Sequence, residues 1–244
     1  MKTSFKLLLV AVLVVVAALF VYDMMLRTEF RTGAYKTPYR NYTDLKFKDF
    51  DTINVKSVSA ANVKFEQGPF RVRISPGVDE FTRVSQDKKT LNIEAVFKYG
   101  YQNNPNDYLL VISCPKIAQL KANAWYGTNG KSYIDTIVRD PWNMRKVLVE
   151  GFKQDSLIIS QDYGSRVILS NNSFGVLKAA IGLSPLSGSQ LTILNNNRLD
   201  NVNFNIGNKS TLIINSVPKN KFNYRLADSA RMILTGSAQN ILKK

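Results

Sequence analysis

One short phrase is written four times between residues 157 and 234: a small-polar turn that feeds a three-residue apolar strand. Val167-Ile168-Leu169 follows Gly164-Ser165, and Leu191-Thr192-Ile193 follows Gly188-Ser189. Leu212-Ile213-Ile214 follows Gly207 and Ser210, and Met232-Ile233-Leu234 follows Asp228-Ser229. The central residues Ile168, Thr192, Ile213 and Ile233 are 24, 21 and 20 positions apart, with partner strands between them at Val176–Ile181, Val202–Ile206 and Phe222–Leu226. A three-residue strand cannot bury its apolar face alone, so equivalent strands must stack at about 4.8 Å. This spacing predicts an all-β chain, a β-solenoid of single short strands stacked like a β-helix.

Stacking would align Val167, Leu191, Leu212 and Met232 in one inward row and Leu169, Ile193, Ile214 and Leu234 in another. Asparagine at the corners, as in Asn171-Asn172 and Asn195-Asn196-Asn197, tolerates left-handed backbone and can stack its amide from coil to coil. The middle residues Ile158, Ile168, Thr192, Ile213 and Ile233 should then point outward. They form a candidate interaction stripe for a protein partner or a second copy, a homo-oligomer. Plain strand propensity, or cover from the N-terminal strands, explains the same residues.

Upstream, residues 50–123 also alternate with period two. Phe70, Val72 and Ile74 share one face, with Arg71, Arg73 and Ser75 on the other. Tyr108 to Cys114 is almost continuously apolar and should be buried on both faces. No window in 50–244 reads as an amphipathic helix, so the whole stretch is strand and turn.

At the N-terminus, Lys2 and Lys6 precede an uncharged apolar run at residues 7–22. It predicts one membrane-spanning helix, a signal anchor with its N-terminus in the cytoplasm; a cleaved signal peptide is the alternative. The expected division is an anchor at 1–23, a juxtamembrane connector at 24–49 and the β domain at 50–244, with an insertion at 124–150 and the clearest repeats at 151–244. The location follows: the cell envelope, anchored in the inner membrane with the domain outside the cytoplasm, or secreted or surface-borne after cleavage.

Chemistry is constrained by what is missing. The chain has no histidine and one cysteine, Cys114, so no intramolecular disulfide, no Ser-His-Asp or Cys-His pairing and no ordinary zinc site can form. Cys114 sits in the apolar strand and reads as a buried thiol. No cofactor and no metal are expected, and the chain is expected not to be an enzyme. Of the enzymes, a β-helix polysaccharide lyase is the nearest alternative, but the repeats offer only Asp155, Asp162, Asp200 and Asp228, widely spaced. The net charge of +15 is spread along the chain and comes with no nucleic-acid-binding module, so nucleic acid is not an expected partner. Around the insertion lie Tyr99, Tyr101, Trp125, Tyr126, Tyr133 and Trp142, rings interleaved with polar turns. They are the candidate ligand-binding residues, a platform for sugar faces or peptide; the alternative is that they cap the stack.

Gly68-Pro69-Phe70-Arg71-Val72-Arg73-Ile74 followed by Pro76-Gly77 resembles the opening of the GIN-type domain family of candidate auto-transporter adhesin heads. The order continues with Phe81–Ser85, the charged turn Asp87–Lys89, Leu91-Asn92-Ile93, and the proline-ended strand Val111-Ile112-Ser113-Cys114-Pro115. The repeats complete a resemblance covering about residues 50–240. It implies a β-solenoid in an envelope protein of a Bacteroidetes-like bacterium, and the family name implies adhesion. The repeats depart from the family in using asparagine where it uses glycine. The expectation is therefore a membrane-anchored, adhesin-like binding module with a protein or glycan partner. An envelope stress or scaffold component that self-assembles or contacts a membrane protein is the alternative.

Overall fold

A computed structural model describes residues 3–33, 36, 39–100, 108–138 and 145–243. The chain divides into two units, Met1–Asn41 and Tyr42–Lys244. In the first, α1 spans Thr3–Thr32, and its segment Phe5–Arg31 contains an 18-residue window of mean hydropathy 2.8, none of it buried. At 1.5 Å per residue such a helix is long and apolar enough to cross a bilayer, a property that signal sequences share. Asp23 pairs with Arg27 one turn on at 2.9 Å. That pairing offsets the charge which, in sequence, ends the apolar run, and Met24–Leu26 resume it.

The second unit carries β1 (Thr43–Leu45), β2 (Thr52–Val55), β3 (Val63–Gln67), β4 (Arg71–Ile74), β5 (Thr82–Asp87), β6 (Thr90–Phe97), β7 (Leu110–Cys114), β8 (Gln119–Ala122), β9 (Trp125–Thr128) and β10 (Lys131–Ile134). It continues with β11 (Val147–Glu150), β12 (Lys153–Gln161), β13 (Arg166–Ser170), β14 (Ser173–Ile181), β15 (Gln190–Ile193), β16 (Arg198–Ile206), β17 (Thr211–Ile214), β18 (Lys221–Leu226) and β19 (Arg231–Leu234), then a 3-10 helix at Gly236–Lys243. Two sheets result. Sheet one runs β1-β4-β7-β3-β11-β13-β15-β17-β19, sheet two runs β10-β9-β6-β2-β8-β12-β14-β16-β18, and β5 pairs β6 off that path.

From β11 onward the chain crosses between the sheets at every step. Short strands fall in sheet one and longer ones in sheet two, and each pairs in parallel with its equivalent one turn later. The predicted rows are present: Val167, Leu191, Leu212 and Met232 are in register, as are Leu169, Ile193, Ile214 and Leu234. In sheet two, Ile159–Ala179–Phe204–Tyr224 and Gln161–Ile181–Ile206–Leu226 face them. The core between is continuous and apolar, with Phe65, Phe152, Phe174 and Phe204 fully enclosed.

Three sequence expectations are corrected here. A turn contributes two strands, one to each sheet, and is not a single-stranded repeat. The sheets are mixed: β1–β4, β4–β7, β5–β6 and β9–β10 are antiparallel. These hairpin-like partners close the N-terminal end, where an open parallel edge would otherwise face water. Residues 236–243 are not strand or turn but 3-10 helix, whose Ala238 is fully buried and whose Ile241 packs on the core.

The corners are polar and bond one another from coil to coil. Asn172 is buried; it accepts from Phe152 N–H at 2.9 Å and donates to Val149 O at 2.9 Å and to Asn197 Oδ1 at 3.0 Å. Asn197 repeats the pattern one turn later, donating to Leu169 O at 2.8 Å. At the opposite corner Ser165, Ser187, Ser189 and Ser210 are buried, with Ser189 Oγ and Ser210 Oγ 3.0 Å apart. Cys114 is enclosed as expected, and burial pushes its thiol up to about 12, so it is no nucleophile at neutral pH.

Candidate functional site

The aromatic candidates meet where β9 and β10 extend sheet two. Parallel pairing sets Asn54 beside Asn92 and, on its other side, Lys121, and the strands β2 and β6 run on to Lys56 and Glu94. Two bonds pin β9 to this edge, and a third ties Ser57 to β6. Trp125 N–H donates to Lys56 O at 2.8 Å, Ser57 Oγ donates to Trp125 O at 2.5 Å, and Ala95 N–H donates to Ser57 Oγ at 2.9 Å. Gly127 lies against Val96, where a Cβ would stand 3.2 Å from Cγ1. Glycine therefore lets β9 approach β6 closely.

A cleft of about 580 Å³ opens there, its lining including Asn54, Lys56, Glu94, Asn123, Trp125 and Tyr126. Its polar side is ordered: Asn54 Nδ2 donates to Asn92 Oδ1 at 2.9 Å, and Lys56 Nζ pairs with Glu94 Oε2 at 3.3 Å. Its apolar side is held by rings. Trp125 meets Tyr163 edge to face at 5.7 Å and is 38% exposed. Tyr126 stacks on Tyr133 at 5.8 Å and meets Phe97 edge to face at 6.4 Å. Burial first, and then the Asp135 carboxylate, raises the Tyr126 phenol, which stays protonated and able to donate.

The structure thus gathers Trp125, Tyr126 and Tyr133, with Tyr133 stacked on Tyr126 but outside the lining. Tyr99 stands apart, 80% exposed, with Lys98 Nζ 5.1 Å from its ring centre. Tyr101 and Trp142 lie outside the described residues. The polar residues Asn54, Lys56, Asn92, Glu94 and Asn123 do not stand out in the sequence. Their one signal is the matched phrase Asn54-x-Lys56 and Asn92-x-Glu94, complementary once β2 and β6 pair in register.

The second candidate is rearranged. Ile168, Thr192, Ile213 and Ile233 do form one outward row on sheet one, and Leu148 heads it opposite Ile168. Ile158 does not belong to it: it lies on sheet two, beside Gln119 and Lys178. Both sheets alternate with the same period, so the sequence alone cannot separate them. Of the row only Ile233 is exposed, at 43%; its neighbours are half-buried. Among the described residues no cluster of acids and thiols suits a metal ion.

No family model matches the chain, and no curated protein does. Solved structures resemble it. A candidate adhesin of Bacteroides fragilis aligns at TM-score 0.41 and 10% identity, over 80% of this chain and 94% of that one. A candidate adhesin of Parabacteroides distasonis aligns at TM-score 0.27 and 12% identity, over 80% and 94%. A candidate lipid-binding protein of the same species aligns at TM-score 0.25 and 15% identity, over 80% and 94%. Likenesses of this size carry no argument about function, and the GIN-type resemblance stays a resemblance.

Proposed function

We infer that residues 42–244 are a non-catalytic β-solenoid domain, held at the bacterial envelope by α1 outside the cytoplasm, with an adhesin-like role. The cleft beside Trp125 takes a sugar. The observation that carries this reading is the mixed lining: an indole and a phenol together with the amide of Asn54, which Asn92 holds, and the Lys56–Glu94 ion pair. A pyranose presents an apolar C–H face and a rim of hydroxyls, and needs both. The absence of histidine from the sequence and the inert Cys114 support binding without turnover.

The test uses the chain's own fluorescence. Trp142→Phe leaves Trp125 as the sole tryptophan, since the sequence has two. Titration with trisaccharides of glucose and of N-acetylglucosamine should shift its emission, with the sugars recovered uncut. Trp125→Ala in the unaltered chain should weaken that binding, read by calorimetry, about tenfold or more. Equal affinity after that substitution would remove the cleft from consideration.

A further inference from the structure

Among the described residues, the C-terminal end of the stack is capped on one side only. The 3-10 helix covers the sheet-one side, where Ala238 is fully buried and Met232 and Leu234 are partly enclosed. The sheet-two side is open. Tyr224 and Leu226 continue inward rows whose preceding members, Phe204 and Ile206, are 1% and 0% exposed. Tyr224 itself is 51% exposed and Leu226 41%. Among the described residues no strand lies beyond β18, so every second peptide group of β18 presents its N–H and C=O away from β16.

We propose that β18 is a docking edge for an extended acidic segment of a partner protein, which adds to sheet two as its next strand. The register defines the fit. A strand paired with β18 would lay alternate side chains over Phe222, Tyr224 and Leu226, closing the open inward rows. Its remaining side chains would lie beside Lys221, Asn223 and Arg225 on the outer face, all exposed. The occupant therefore alternates apolar residues with Asp or Glu. Main-chain bonds supply affinity and the alternation supplies specificity. Charge disfavours a second copy of this chain, because edge-to-edge pairing would bring Lys221 and Arg225 of each copy against their own kind. The competing explanation of these cations is protection of an edge that binds nothing.

The experiment uses the full chain in detergent micelles and three fluorescein-labelled seven-residue peptides. One alternates valine with glutamate, one alternates valine with lysine, and one is the glutamate peptide with proline at its central valine. The glutamate peptide should bind and slow amide exchange at 222–226. The lysine and proline peptides should each bind about tenfold or more weakly. In the Lys221→Glu/Arg225→Glu double variant, with its unfolding temperature unchanged, the preference should reverse to the lysine peptide. Binding of none of the three, equal binding of all three, or protection of 222–226 through self-association without peptide would each overturn the proposal.

Discussion

Gly182→Ala is expected to unfold the repeats, or to cost about 3 kcal/mol or more if the chain still folds. Gly182 has a positive φ of 75°, which a Cβ opposes. Space makes the case worse. An added Cβ would fall on the Gly207 carbonyl oxygen and on Ser210 Oγ. Gly207 meets the reciprocal conflict with the Gly182 carbonyl. Neither backbone can yield cheaply. Gly182 N–H donates to Gln161 O at 2.9 Å, Gly207 N–H donates to Ile181 O at 2.8 Å, and Asn208 Nδ2 donates to Gly182 O at 2.7 Å. Gly151→Ala is the control, since its φ is 78° but nothing lies within 4 Å of the new Cβ. It should cost about 1 kcal/mol, the conformational strain alone. Denaturant midpoints for the two variants measure the difference; equal midpoints would mean that the coils are not in contact at Gly182 and Gly207.

Asn172→Ala should cost about 3 kcal/mol, read as a lower denaturant midpoint at unchanged slope. Three bonds are lost at once, and the groups left behind are enclosed. Phe152 N–H and Val149 O would each lose a partner inside a buried corner, while Asn197 Oδ1 keeps only the bond from Asn172 N–H at 3.0 Å. Asn196→Ala tests the distinction between an asparagine at a corner and one inside it. Asn196 accepts from Asn171 N–H at 2.9 Å and donates to Ser170 Oγ at 3.1 Å, but it is exposed, and water replaces what is lost. Its cost should stay below about 1 kcal/mol.

The repeats were legible because each coil closes on the same inward apolar pair. Val167 with Leu169, Leu191 with Ile193, and Leu212 with Ile214 recur at nearly constant spacing, whatever the turns between them contain. The asparagine corners were legible for a related reason: an amide is among the few side chains that bond its own corner and the next. The closing strands were not legible. Val72 and Ile74 on β4 alternate as any half-buried strand does, and alternation is blind to whether the neighbour runs parallel or antiparallel. Alternation is equally blind to which sheet a strand joins, which is why it does not place Ile158 on sheet two. The cleft was half legible. Its rings are conspicuous as residue types, and Trp125, Tyr126 and Tyr133 share one hairpin. Its polar lining includes Asn54, Lys56 and Glu94, with Asn92 bonded to Asn54, and all four lie far from the hairpin in sequence. Only the β2–β6 register brings them together.

The most direct measurement is protease accessibility in the native host, following the mass of the chain through fractionation. A retained α1 with an outward domain predicts a membrane-bound protein that survives a high-pH wash with residues 3–32 still attached. Protease added outside spheroplasts should cut that protein within residues 42–244. A protein recovered in the cytosol, or one protected in spheroplasts and cut only in inverted membrane vesicles, would contradict the account.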